Sequence, residues 1–173
     1  MTLLERVVGI LQSQQIPHAL IGAGALAVHG VSRSTLDHDL LAMDVRALDA
    51  SPWRELSDVE VDVRLADHSD PLAGAVRFRA AGERDVDLVI GRGVWQREVL
   101  ARAQIVRLGR LDVPVVTASD LVLLKLYAGG SQDRWDIEQV LAADRTGDVR
   151  SQVEARLATL PSRCRELWDA AFR

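Results

Sequence analysis

This sequence of 173 residues has a single cysteine, Cys164. A lone thiol excludes an internal disulfide, and a cytoplasmic location is the expectation that follows. Also missing is any apolar run near the roughly 20 residues a membrane-spanning helix needs. The opening MTLLERVVGILQSQQ carries Glu5 and Arg6 inside its apolar pattern. That marks an amphipathic helix rather than a signal peptide. Positive charge is not in excess, since 21 Lys and Arg against 25 Asp and Glu give a net charge of −4. A dedicated DNA-binding chain is ordinarily basic, whereas an acidic chain can still handle anions through a bound divalent cation. Repeats and low-complexity tracts are absent. What is present, 48% hydrophobic and 27% charged residues, is ordinary for a soluble globular chain. The length suits one compact domain, or a domain with a small helical annex.

Periodicity predicts a helix over residues 2–14, ended by Pro17. A short apolar strand follows at 18–21, then Gly22-Ala23-Gly24 and a short helix at 25–29. A second strand covers 37–43, and 45–56 is expected to be helical despite Pro52. Strict alternation from Val59 to Leu65 gives a strand with one polar face. The segment 67–74 is rich in turn formers and is expected to be a loop. Residues 75–80 and 85–90 form a predicted hairpin around Gly82-Glu83. A helix at 94–103 precedes another hairpin, 105–108 with 111–116, tipped by Gly109-Arg110. From Thr117 the pattern is helical. Thr117-Ala118-Ser119-Asp120 has the form of a capping box, and four helices follow at about 121–128, 133–143, from 147 and from 161. The chain therefore divides into a mixed α/β part, 1–116, and a helical part, 117–173, expected to pack on that core. In the last helix Leu167, Trp168 and Phe172 are expected in a core or an interface.

The sharpest local feature is Arg33-Ser34-Thr35-Leu36-Asp37-His38-Asp39. Residues two apart on a strand face the same way, so Asp37 and Asp39 project together. Their repulsion calls for an offset, and a hard divalent cation is the natural one. Fifteen residues upstream, the strand that breaks into Gly22-Ala23-Gly24 leads into a helix start with unpaired backbone N–H groups. Together these suggest a triphosphate beside its metals. A third carboxylate is expected on Asp85-Val86-Asp87-Leu88, with Asp87 favoured because it sits deeper in the apolar run and Asp85 held as the alternative. Glu60 and Asp62 are weaker competitors. His38 faces the opposite way. Lys125 interrupts an otherwise apolar helix and must reach solvent or meet an anion. Asp133 and Asp136 lie at a helix start, where dipole compensation competes with a site role.

Taken together, Gly22-Ala23, His29-Gly30 and Arg33-x-Thr35-x-Asp37-x-Asp39 resemble the polymerase-β-type nucleotidyltransferase superfamily. More narrowly, the chain is similar to the AbiEii-type bacterial nucleotidyltransferases, many of them toxins of toxin–antitoxin systems. The likeness continues through Asp70-Pro71-Leu72-x-Gly74, Val86-Asp87-Leu88 and Ser119-Asp120-Leu121, with Lys125, Asp133 and Asp136 further on. It implies an α+β fold, with a mixed or antiparallel sheet flanked by helices and a helical C-terminal segment. It implies transfer of a nucleoside monophosphate from an NTP to a hydroxyl acceptor, with RNA such as tRNA favoured and a cognate antitoxin as a partner. An antibiotic-modifying enzyme and an inactive nucleotide- or partner-binding relative are the alternatives. On this resemblance Asp37, Asp39 and Asp87 hold two Mg²⁺ ions, with Asp87 as base. Gly22 and Ala23 cradle phosphates, Arg33 and Thr35 flank the site, and Lys125 steadies the triphosphate. Arg77, Arg79, Arg84, Arg92, Arg97, Arg102, Arg107 and Arg110 are expected either to form a basic patch for RNA or simply to solvate the surface. Ala23 stands where the family has Gly or Ser, His38 where it has an aliphatic residue, and the chain is short for a toxin member.

Overall fold

The computed structural model describes residues 1–35, 37–68 and 70–172. Leu36, inside the 33–39 stretch, and Ser69, inside the 67–74 segment, lie outside the described residues. The chain divides into two compact units, Met1–Gly24 with Ser34–Val116, and Ala25–Arg33 with Thr117–Arg173.

Helix α1 (Leu3–Ser13) opens the first unit. Its N-cap is reciprocal: Glu5 N–H donates to Thr2 Oγ1 and Thr2 N–H donates to the Glu5 carboxylate, so two otherwise orphaned donors are satisfied. Strand β1 (His18–Leu20) and helix α2 (Gly22–Val28) follow. The next strands are β2 (Asp37–Ala42), β3 (Glu60–Leu65), β4 (Leu72–Arg79) and β5 (Asp85–Gly91). Helix α3 (Val94–Ala101) then leads to β6 (Gln104–Leu108) and β7 (Leu111–Val115). Among the described residues these seven strands form one sheet in the order β3-β4-β5-β2-β1-β7-β6. The pairs β1/β7 and β2/β5 are parallel and the others antiparallel. The mixed sheet with helices that the resemblance implied is the fold observed.

The period-2 pattern gives the central strands two unlike faces. On one, Val76, Phe78, Val86, Leu88, Ile90, Leu40 and Ala42 are all fully buried. Trp53 packs edge-on against Phe78 there, with ring centroids 4.7 Å apart. On the other face, β2 and β5 begin with Asp37, Asp39, Asp85 and Asp87. Each strand is thus anchored by the apolar face and free to carry charge on the other.

Three expectations are corrected. Residues 45–56 form two 3₁₀ turns, Val45–Leu48 and Ser51–Trp53, instead of a helix. Asp44 Oδ1 accepts from Arg46 N–H, Pro52 offers no N–H, and the Trp53 indole N–H turns back to the Ala47 carbonyl at 2.9 Å. Strand β4 starts at Leu72 within the supposed loop. A register shift between Leu72 and Gly74 lets it begin there, and a Cβ on Gly74 would lie 2.4 Å from the Arg64 carbonyl oxygen. Helix α2 starts at Gly22, so the glycines belong to it.

The second unit holds the end of α2, α4 (Ala118–Ala128), α5 (Ser131–Ala143), α6 (Asp148–Arg156) and α7 (Ser162–Ala171). Thr117 caps α4 by accepting from Asp120 N–H, and its hydroxyl donates to Asp120 Oδ2 at 2.8 Å. Gly129 ends α4 in the left-handed region at φ +73°. Trp168 and Phe172 are buried in this unit, while Leu167 is 42% exposed.

Candidate active site

The parallel β2/β5 pairing sets Asp39 opposite Asp87 and Asp37 opposite Asp85. One oxygen from each of Asp37, Asp39 and Asp87 lies within 4.8 Å of the others, and all three residues are half-buried. At such separations two unit negative charges near a protein surface repel by about 3–4 kcal/mol. Three hard oxygens so gathered suit a divalent ion such as Mg²⁺. The geometry also separates the two acids of β5, for Asp85 lies 3.5 Å from Arg79 instead. Asp62 pairs with Arg64 at 3.1 Å and Glu60 with Arg79 at 2.9 Å, two strands from the triad's centre.

Neighbouring elements fix the triad. Thr35 donates its hydroxyl to Asp37 Oδ1. Ile21 N–H donates to the Asp39 carbonyl at 2.9 Å, tying the end of β1 to β2. Gly22, at φ +57°, then passes so close to Asp39 that an added Cβ would sit 1.9 Å from Oδ2. Both conformation and contact therefore require glycine. Ala23 follows in the first turn of α2 and is buried. His38, on the opposite face, has its imidazole held below the ordinary value by burial first and by Arg84 next, against an opposing pull from Asp37.

Sequence reasoning placed Arg77 only in a diffuse basic set. Its Nε donates to Asp87 Oδ1 at 2.6 Å and its Nη2 to Oδ2 at 2.5 Å. The hydrogen bonds to Asp87 raise the guanidinium further above its already high value. The signal was in the hairpin. A turn centred on Gly82 pairs residue 77 with 87, and the register does so.

Across β3, β4, β5 and β2 this gives two charged rows. Asp62, Arg77, Asp87 and Asp39 form one. Glu60, Arg79, Asp85 and Asp37 form the other, through Glu60 opposite Arg79, the Arg79–Asp85 ion pair and Asp85 opposite Asp37. Each runs acid, arginine, acid, acid. The excess of carboxylate therefore falls on the β5/β2 seam.

The second unit gathers the other singled-out residues. Lys125, the chain's only lysine, has Nζ 2.8 Å from Asp133 Oδ1 and 2.7 Å from Asp136 Oδ2. Burial disfavours its charge, but the two carboxylates outweigh that and raise its pKa. Arg33 Nε lies 3.5 Å from Asp136 Oδ1, and Asp136 is fully buried. Asp133 also caps α5, accepting from Gly130 N–H at 3.0 Å. The anion that Lys125 meets here is thus the chain's own.

No family model and no curated protein sequence matches this chain. Solved structures do match. The antibiotic-resistance factor ANT(2'')-Ia, in complex with adenylyl-2''-tobramycin, aligns with a TM-score of 0.58 at 15% identity, over 90% of this chain and 95% of that one. The lincosamide antibiotic adenylyltransferase LnuA, lincomycin-bound, aligns at 0.54 and 10% identity, over 82% and 96%. An antigenic nucleotidyltransferase-like protein from Paracoccidioides brasiliensis aligns at 0.50 and 15% identity, over 93% and 89%. The fold is a nucleotidyltransferase fold. Among the described residues, no helix is long and apolar enough to cross a membrane.

Proposed function

We propose that this chain is a Mg²⁺-dependent nucleotidyltransferase that moves a nucleoside monophosphate from an NTP to an acceptor hydroxyl and releases pyrophosphate. The observation that carries the reading is the carboxylate triad, whose oxygens lie within 4.8 Å of one another on adjacent strands of this fold. Asp37, Asp39 and Asp87 would hold the metal ions, which supply charge neutralisation for attacking and leaving oxygens when bound. Thr35 orients Asp37, and Gly22 lets Asp39 reach its place. Gly22 and Ala23 offer backbone N–H groups toward the phosphates. Asp87 is the group suited to accept the proton of the acceptor hydroxyl. Lys125 and Arg33 are the cations proposed for the triphosphate, and binding there would require Lys125 to exchange a carboxylate for a phosphate.

A cationic small molecule is the favoured acceptor. The two charged rows hold six carboxylates against two arginines, which attracts an amine-bearing acceptor and repels nucleic-acid phosphates. Several arginines of the supposed RNA patch are engaged: Arg77 with Asp87, Arg79 with Glu60, Arg102 with Glu98 and Arg107 with Asp112. Two of the structural neighbours are antibiotic enzymes by name. A toxin-type activity on RNA, with a cognate antitoxin, is the second reading and rests on the sequence resemblance alone.

The test is incubation with each labelled NTP and Mg²⁺, with aminoglycosides, lincosamides or total RNA as acceptor. Label is expected in a small molecule, lost with EDTA and reduced at least about 100-fold in Asp39→Asn, since metal charge stabilisation supplies several kcal/mol. Label in RNA would favour the second reading. No transfer from any NTP to any acceptor would sink both.

A further inference from the structure

Arg77 and a divalent ion make opposing claims on the same carboxylate. The guanidinium fork takes a lone pair from each oxygen of Asp87, at 2.6 and 2.5 Å. Such a bidentate, charge-assisted pair is among the stronger side-chain interactions. Asp87 must nevertheless give an oxygen to any ion shared with Asp37 and Asp39. An ion at that oxygen brings two positive charges toward a guanidinium already hydrogen-bonded to it.

Arg77 has somewhere to go. Its side chain is 43% exposed, against 18% for Asp87, so leaving Asp87 does not strand a buried cation. Directly across from it on β3 stands Asp62, whose side chain is 35% exposed and whose present partner at 3.1 Å, Arg64, is 75% exposed and can share it. Asp62 and Asp87 thus flank Arg77 in one cross-strand row, one on the rim and one in the triad.

We propose that Arg77 is a built-in counter-cation of the triad, held on Asp87 while no divalent ion is bound and released toward Asp62 when one enters. The inference rests on the metal site argued above and adds the device that loads it. It makes Arg77 a positioning residue: without an ion it offsets the clustered negative charge, and its departure frees the Asp87 oxygens for metal and acceptor. Ion binding is then an exchange of cations and is weaker than the three carboxylates alone would make it.

The experiment measures Mn²⁺ affinity by calorimetry, and thermal midpoints in EDTA and in excess Mn²⁺, with no nucleotide. Arg77→Gln removes charge and fork. Arg77→Lys keeps the charge but loses the fork. Arg107→Gln, which pairs with Asp112 away from both charged rows, controls for net charge. Both Arg77 variants are expected to bind Mn²⁺ more tightly than the parent, Arg77→Gln by roughly tenfold, the equivalent of one charged hydrogen bond. Arg77→Gln should also melt lower in EDTA and show a larger Mn²⁺-induced rise. Arg107→Gln should follow the parent. Equal affinity in the parent and Arg77→Lys, or weaker binding in either variant, overturns the exchange while leaving the metal site standing. A parent chain whose Mn²⁺ binding is absent, or is unaffected by Asp39→Asn, removes the metal site and the exchange with it.

Discussion

The residue under the tightest constraint is Gly22. Its φ of +57° is costly for any side chain, and a Cβ would lie 1.9 Å from an Asp39 oxygen. A methyl group there must either push the Asp39 carboxylate out of the triad or twist the start of α2. We therefore expect Gly22→Ala to lower stability by about 1–3 kcal/mol and to abolish Mn²⁺ binding even in molecules that remain folded. Denaturant titration and calorimetry read the two effects separately. Normal Mn²⁺ affinity in Gly22→Ala would show that Asp39 does not need its present position. Asp39→Asn should behave differently. It keeps the side chain's size and introduces no backbone strain, so its EDTA midpoint should fall less than that of Gly22→Ala while ion binding is lost. A stability loss in EDTA as large as that of Gly22→Ala would mean that Asp39 is first of all a structural residue.

Strand β5 makes the contrast between faces testable at the level of the element. Leu88 is fully buried, opposite Leu40 on β2 and Val76 on β4, and Leu88→Ala should cost about 2–5 kcal/mol. Arg79, on the charged face, pairs with Glu60 and Asp85 across partly exposed strands. Arg79→Gln should cost no more than about 1 kcal/mol. Equal costs in a denaturant titration would contradict the two-faced sheet. The same faces explain what could be read from the chain alone. Alternation exposed β2, β5 and the pairing of Asp37 with Asp39, because period 2 is a local property. The hairpin turn at Gly82 carried the Arg77–Asp87 pair, yet only a register count would have revealed it. Strand order was out of reach, since the neighbourhood of β2 and β5 depends on a parallel pairing between segments separated by two strands. The turns at 45–56 were misread because apolar spacing there serves Trp53 packing on Phe78 rather than a helical stripe. Its apolar helix requires Lys125 to reach solvent or meet an anion, but that the anions are Asp133 and Asp136 of the next helix is a tertiary fact that no local pattern holds.

For the whole molecule, the net charge of −4 hides a clear division of acid sensitivity between carboxylates and histidines. The Asp44, Asp58 and Asp144 carboxylates sit below their ordinary 3.8, so what they contribute is present at neutral pH and is lost only as pH falls through and below that value. Histidine acts earlier. His18 is 7% exposed, its Nδ1 donates to the Ile16 carbonyl at 2.8 Å, and its Nε2 has no hydrogen-bond partner among the described residues. Burial lowers its pKa from 6.5, more than the Ile16 bond raises it. The unfolded chain therefore binds this proton more readily than the folded one. Stability is complete above about pH 6.5 and declines as pH falls toward the folded-state value, with a slope of up to about 1.4 kcal/mol per pH unit from one such group. His38, also lowered, adds to the same limb. Asn in place of His18 can keep the bond to Ile16 and does not titrate. Urea titrations of the parent and His18→Asn at pH 7.5, 6.5 and 5.5 should show the parent losing more stability across that range. Parallel losses in the two proteins would mean that His18 takes up its proton in the folded state as easily as in the unfolded chain, and that the buried imidazole finds a partner for its second nitrogen.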